Sequence, residues 1–234
     1  MRFHVGTSGY SYKEWKGSFY PEKLPQKQML DFYAERFDAV EINSTFRRLP
    51  EIGVVGSWTG QTPESFRFVL KAPQSITHFK RLIDVKDQTK AFLKAAAELK
   101  HRRGPVFFQL PPNFKKDLPR LKAFLKSLGK KSASAAFEFR HESWFDEDVY
   151  DALRAKSSAL CVADAEELPK TDLISTAKFG YVRLRRAKYT KKQLAAWLTK
   201  IQAQDWDEVY VFFKHEETGT GPKFAARFLE LAGL

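Results

Sequence analysis

The sequence predicts an α/β protein folded as a single (β/α)8 TIM-type barrel over residues 1–234. Two observations lead there. Strand-like runs recur eight times with helix-period segments between most of them, the order that gives parallel strands joined by helical crossovers. Most of the runs are apolar along one face, while the other turns polar toward the C-terminal end, as expected of strands enclosed on both sides. No Gly/Ser linker, low-complexity tract or shift in composition divides the chain, so one domain is expected. An open doubly wound sheet is the competing architecture.

The elements follow from period and residue type. FHVGTS (3–8) is the first strand, followed by a helix-period segment at about 26–37. AVEINST (39–45) leads into EIGVVGSWTGQTPE (51–64), one of the two least regular stretches. RFVLKA (67–72), PVFFQL (105–110) and SAAFEFR (134–140) are followed by helical segments at 87–101, 117–128 and 146–156. After ALCVAD (159–164) comes the second irregular stretch, 165–178. FGYVRLR (179–185) with 190–204, and EVYVFFK (208–214) with 221–232, complete the series.

Alternation divides each strand into two faces. Val40, Ile42, Phe68, Leu70, Val106, Phe108, Leu110, Phe137, Phe139, Val182, Leu184, Val209, Val211 and Phe213 form an apolar set expected to meet the helices. The opposite set, Glu41, Asn43, Lys71, Gln109, Glu138, Arg140, Asp164, Arg183, Arg185 and Lys214, is expected at the barrel mouth. Active sites of this architecture lie at that C-terminal face. Enclosed charges are costly unless paired, so the competing reading is a mutually satisfied ion-pair plug above the apolar layers.

Forty Lys and Arg against 28 Asp and Glu give a net charge of +12. Such a balance favours phosphorylated metabolites or nucleic acid as partners, or serves as a solvated basic surface. Cys161 is the only cysteine, which excludes an intrachain disulfide and a thiolate metal cluster from one chain. No uninterrupted apolar run approaches the ~18 residues of a membrane span, so a cytoplasmic protein without membrane association is expected.

Five longer motifs, GTSGYSYKEWKGSFYP (6–21), FDAVEINSTFRRLP (37–50), FVLKAPQSITHFKRL (68–82), GPVFFQLPPNF (104–114) and AFEFRHESWF (136–145), occur in the same order as in the YecE-like family, a domain of unknown function. The chain resembles that family over essentially its whole length. The resemblance implies a TIM-type barrel and carries no settled activity. The family pattern at the ends of strands seven and eight resembles R-L-H-G and Y-F-N-N, where this chain has RLRR (183–186) and FFKH (212–215).

Three kinds of chemistry fit the mouth residues. Acid–base catalysis would use Glu41, Glu138 and Asp164 among Lys71, Arg140 and Arg183, with the Glu138–Arg140 pair alternatively structural. Lys71 is either a Schiff-base lysine, if desolvated, or the commoner partner of a glutamate. A metal site would draw on His78, His141, His215, Glu41, Glu138 and Asp164, but no metal-binding spacing is present and nearby cations oppose it. His4 and His101 are expected in core or surface roles, and no organic cofactor is implied. Anion binding would use Arg185 and Arg186 with the amides of Gly219, Thr220 and Gly221 ahead of the last helix, in the position where barrels hold phosphate. Lys188, Lys191 and Lys192 extend the basic run. Asn43, Gln109, His141, Trp144 and Lys214 are further substrate-binding candidates, and Tyr10, Tyr12, Trp15, Phe46 and Trp144 offer rings for stacking on a base or sugar. The reading is a barrel that binds a phosphorylated ligand, nucleotide or nucleic acid, with hydrolase or lyase chemistry. The alternatives are a non-catalytic nucleic-acid-binding protein and a metal-dependent phosphoesterase.

Overall fold

The computed structural model describes residues 1–49, 52–129, 135–214 and 219–234. Eight parallel strands are present: β1 (Arg2–Ser8), β2 (Ala39–Ile42), β3 (Arg67–Leu70), β4 (Val106–Gln109), β5 (Ala135–Glu138), β6 (Ala159–Asp164), β7 (Phe179–Leu184) and β8 (Glu208–Phe213). Their order in the sheet is β3-β2-β1-β8-β7-β6-β5-β4. The two end strands meet through Gly104 N to the Phe68 carbonyl at 2.8 Å and Ala72 N to the Phe107 carbonyl at 2.7 Å, which closes the barrel. Closure leaves no open sheet edge and rules out the open alternative.

Among the described residues the helices are α1 (Met29–Ala34), α2 (Ser44–Arg47), α3 (Ile52–Thr59), α4 (Lys86–Ala97), α5 (Leu118–Ser127), α6 (Glu147–Arg154), α7 (Lys191–Gln202) and α8 (Thr220–Ala232). Their starts obey local chemistry. The Asp117 side chain accepts from the Arg120 amide ahead of α5, and Thr190 with Gln193 forms a reciprocal capping box ahead of α7. The stretches expected to be irregular are so. The second unit is split into the short α2 and α3, and β6 reaches β7 without a helix. In that last connection the Thr176 hydroxyl accepts from the Leu160 amide and donates to the Ser158 carbonyl, fixing loop to strand.

Two apolar clusters separate as alternation requires. One contains Val40, Ile42, Phe68, Leu70, Phe108, Phe137, Phe139, Val182, Leu184 and Val211 and lies between strands and helices. The other, inside the barrel, contains Ala39, Val69, Phe107, Ala136, Cys161, Tyr181, Tyr210 and Phe212. Phe107 and Tyr181 stack at 4.9 Å with only 7° between planes, forming an aromatic floor. Beneath it His4 stacks on Tyr210 at 4.7 Å, and its Nδ1 lies 2.8 Å from Asp38 Oδ2. His4 is thus a core residue, as expected.

Candidate active site at the barrel mouth

Above the aromatic floor the inward positions become charged. Glu41 and Glu138 are fully buried and Arg183 is 1% exposed. Arg183 spans the interior: Nη2 donates to Glu41 Oε1 at 2.8 Å and Nη1 to Glu138 Oε2 at 2.6 Å. Its guanidinium carbon sits 4.8 Å from the Phe107 ring centre. The other carboxylate oxygens are also engaged. Tyr181 donates to Glu41 Oε2 at 2.7 Å, Ser8 donates to Glu41 Oε1 at 2.9 Å, and Arg140 Nε donates to Glu138 Oε1 at 2.7 Å. Burial is the largest single influence and would raise both carboxyls, yet their partners together outweigh it and hold both below the ordinary range: Arg183, the Tyr181 hydrogen bond and Lys71 at Glu41, and Arg183, Arg140 and Arg185 at Glu138. With all four oxygens occupied, Glu41 and Glu138 are constitutively ionised acceptors. The carboxylates are thus paired as in an ion-pair plug, while Arg183 Nε is buried without a hydrogen-bond partner among the described residues, and this pairing argues against the two glutamates as an acid–base couple.

Asp164 corrects the expectation of a third inward carboxylate. On β6 the inward positions are Ala159, Cys161 and Ala163, and Asp164 shares the outer face with Leu160 and Val162. Its carboxylate accepts from Arg186 Nε at 2.7 Å, Tyr189 Oη at 3.0 Å and Trp197 Nε1 at 3.1 Å, binding the strand end to α7. Small inward residues suit β6 because the rings of Phe107 and Tyr181 already fill the interior. Arg186 is thereby committed outside the barrel, which removes it from the expected phosphate site.

Trp144 is the second correction. Its ring stacks on Phe139 at 4.7 Å, its indole N–H donates to the Phe114 carbonyl at 2.6 Å, and it has no exposed surface. It packs with the outward face of β5 and presents nothing to a ligand. Trp15 is likewise buried, and Tyr12 donates to the Ser8 carbonyl. His141 turns its Nδ1 to Ser143 at the start of the short turn after β5.

Lys71 follows β3 with its main chain clamped, the amide bonded to Ile42 and the carbonyl receiving the Thr45 hydroxyl at 2.6 Å. The expected glutamate partner is replaced by a neutral one. Nζ donates to Gln109 Oε1 at 2.6 Å and lies 4.2 Å from the Phe46 ring centre. Burial first, then the Arg183 guanidinium, pushes the Lys71 ammonium down to about 7. His78 packs edge-on to Phe46 at 4.9 Å, and burial followed by Lys71 and Arg140 pushes its imidazolium down to about 4. Sequence reasoning placed neither Phe46 nor His78 beside Lys71, although both lie within motifs flanking β2 and β3. His78 sits in a π-helical turn, Ser75–Phe79, and Arg81, Leu82 and Asp84 just beyond it have positive φ values of 46°, 71° and 48°. Non-glycine residues in that region store strain, and π turns recur at functional sites.

Arg185 occupies the inward position above Arg183, with its amide bonded to the Asp164 carbonyl at 2.9 Å. Its Nε is buried and has no hydrogen-bond partner among the described residues; the same holds for Asn43 Oδ1 and Thr220 Oγ1. Burial and then Arg183 lower the Arg185 guanidinium from its ordinary value, although arginine remains charged at neutral pH. Around these groups, Arg140, Arg183 and Arg185 face only Glu41 and Glu138, so the described mouth keeps at least one uncompensated positive charge even with Lys71 neutral.

The glycines at the start of α8, Gly219 at its N-cap and Gly221 in its first turn, have steric reasons. Gly219 has φ 69°, and a β-carbon there would stand 2.5 Å from Ser18 Oγ; at Gly221 it would stand 2.4 Å from the Lys214 carbonyl oxygen. Lys214 itself ends β8, with its amide bonded to the Leu184 carbonyl. His215, between these elements, lies outside the described residues. Among the described residues no three His, Cys, Asp or Glu side chains converge on a metal position. No described helix is long and apolar enough to cross a membrane.

Comparison with known proteins places this chain in a family. Over 227 residues, 92% of this chain and 79% of the relative, the sequence is 23% identical to the UPF0759 protein YunF of Bacillus subtilis. It is 38% identical to the UPF0759 protein YecE of Escherichia coli over 117 residues, half of this chain and 43% of YecE. The crystal structure of a DUF72 family protein (TM1631) from Thermotoga maritima matches all of both chains with a TM-score of 0.87 at 28% identity. A DUF72 family protein (EF0366) from Enterococcus faecalis matches 99% of this chain and 96% of its own with a TM-score of 0.80, and at 18% identity it speaks for the fold alone. The family model described as "Protein of unknown function DUF72" matches residues 4–234, and the chain belongs to that family.

Proposed function

We propose that the barrel mouth is the active site of an enzyme whose ligand carries a phosphate group. The observation that carries this reading is Arg185, a guanidinium at the mouth whose buried Nε has no hydrogen-bond partner and which pairs with no carboxylate among the described residues. A phosphate supplies the missing acceptor, and a guanidinium grips two of its oxygens at once. Arg140, whose side chain is 21% exposed, stands across the mouth with one edge on Glu138 and the rest available. Thr220 Oγ1 and the amides at the start of α8 are the remaining candidates to contact the anion. The saturated carboxylates argue against a metal-dependent phosphoesterase and favour lyase over general-base hydrolase chemistry.

Calorimetric titration with inorganic phosphate and with a nucleoside monophosphate tests the reading. Arg185→Ala should weaken binding by roughly tenfold or more, the usual effect of losing a charge-assisted contact. Unchanged affinity in that variant, or no binding of either probe, overturns it.

A second reading, an extended polyanion such as nucleic acid, is favoured by the exposed Arg47, Arg48, Lys188, Lys191 and Lys192. Oligonucleotide titration at two salt concentrations separates the two, because a polyanion surface loses affinity steeply as salt rises.

A further inference from the structure

We propose that Lys71 is an amine nucleophile that forms an imine with the ligand, so that the substrate class is a phosphate-bearing aldehyde or ketone. The inference rests on the anion-binding reading for the phosphate and on separate observations for the amine. A lysine buried in a protein ordinarily finds a carboxylate. Lys71 has two carboxylates in its vicinity, but both are consumed by Arg183, Tyr181, Ser8 and Arg140. What remains for Nζ is an amide oxygen and the face of Phe46. Gln109 fixes the direction of one N–H without demanding a positive charge, and Lys71 as a residue keeps 9% of its surface exposed.

Among the described residues, charged groups act on the amine from several strands. Arg183 and Arg140 disfavour the ammonium, while Glu41 and Glu138 favour it. His78, on the segment after β3, is neutral near pH 7 and adds no charge. Burial tips the balance, and at neutral pH a substantial fraction of Lys71 carries the lone pair that attacks carbonyls.

In the step itself the Nζ lone pair adds to the carbonyl carbon to give a carbinolamine. Nitrogen then surrenders its two protons, the carbonyl oxygen leaves as water, and a C=N bond replaces C=O and two N–H bonds. No oxidant or reductant is needed. Once protonated, the imine draws electrons from the adjacent carbon, which is the activation a lyase requires.

The test uses the full chain with glyceraldehyde 3-phosphate and, separately, glyceraldehyde, each followed by borohydride and peptide mapping by mass spectrometry. Borohydride delivers hydride to the imine carbon and fixes the adduct as a secondary amine. Near pH 7, Lys71 should be labelled at least about tenfold faster than any other lysine, since its free-amine fraction is on the order of a thousandfold larger and its lower basicity and burial offset only part of that advantage. The phosphorylated aldehyde should lead, and Lys71→Arg should lose the label at this position. Mapping the wild type identifies the lysine without depending on how the variant folds. Labelling of Lys71 no faster than surface lysines by either aldehyde overturns the nucleophile, and retained phosphate binding by calorimetry would then leave the anion site standing. Rapid labelling by both aldehydes alike, unaffected by Arg185→Ala, would keep the nucleophile and remove the phosphate.

Discussion

Arg183 Nη1 lies 2.6 Å from Glu138 Oε2, and the two side chains are 2% and 0% exposed. At such a position neither charge is screened by water, so each depends on the other. Replacing Arg183 by Met would leave two buried carboxylates facing one another across the barrel. The expected loss is about 3–5 kcal/mol in urea-induced unfolding, the usual result of stranding a buried charge. Lys178 and Asp205 make a contact of similar length, 3.1 Å, but are 74% and 96% exposed. Lys178→Ala should leave the urea midpoint unchanged. Equal effects from the two substitutions would show that the interior pair is no more structural than the surface one.

The same pair sets the acid limit of the fold. Glu41 and Glu138 have folded-state values below their unfolded ones: burial would raise them, but Arg183 together with their other partners outweighs it. Their contribution is therefore fully present above the unfolded carboxylate range, near pH 4.5, and is lost as pH falls toward the folded values. Urea midpoints measured at descending pH should drop steeply below about 4.5 in the wild type. In Glu138→Gln the starting stability should be lower and the acid slope shallower. A slope identical to wild type would mean that Glu138 is not held ionised by its partners.

The alternation in AFEFR was enough to place Glu138 and Arg140 inside the barrel and Phe137 and Phe139 outside it, since only one face of that strand is polar. FGYVRLR was legible for the same reason, and its register would also have put Tyr181 beside Arg183. ALCVAD was not legible, because both of its faces begin apolar and the one acidic residue, Asp164, falls on the face with Leu160 and Val162. Trp144 was misplaced because it lies beyond the strand, where a turn of unknown direction decides between mouth and helix layer. The partners of Lys71 depend on a strand neighbour 38 residues away and on a ring in the preceding loop, and single-strand periodicity carries neither.

Asp164 provides a test of that correction. Its carboxylate is 9% exposed and collects Arg186, Tyr189 and Trp197 on the outside of the barrel. Asp164→Ala leaves those donors without their acceptor, and a loss of about 1–3 kcal/mol is expected. Phosphate affinity by calorimetry should stay within error of wild type, since the carboxylate does not face the mouth. A large change in affinity with little change in stability would return Asp164 to the binding site.

Lys71 should leave a signature in stability as well as in reactivity. Its folded value of about 7 lies below the ordinary lysine value of 10.5, so between the two the unfolded chain holds a proton that the native protein has given up. Stability contributed by this group therefore rises with pH across that window, and below about pH 7 the buried ammonium is a liability. Other groups titrate nearby with different signs. His4, raised by its hydrogen bonds to Asp38 and Glu208 against the opposing effect of burial, loses stabilisation as pH climbs through its folded value. Partly buried tyrosines such as Tyr12, pushed up to about 12 chiefly by loss of solvent around the hydroxyl, destabilise the native state at the alkaline end. Comparing Lys71→Met with wild type at each pH cancels both contributions. The variant should be the more stable protein at pH 6, and its advantage should shrink by about 1 kcal/mol or more on reaching pH 9. A stability difference that does not change between pH 6 and 9 would show that Lys71 keeps its proton throughout, and would remove the chemical basis for its role as a nucleophile.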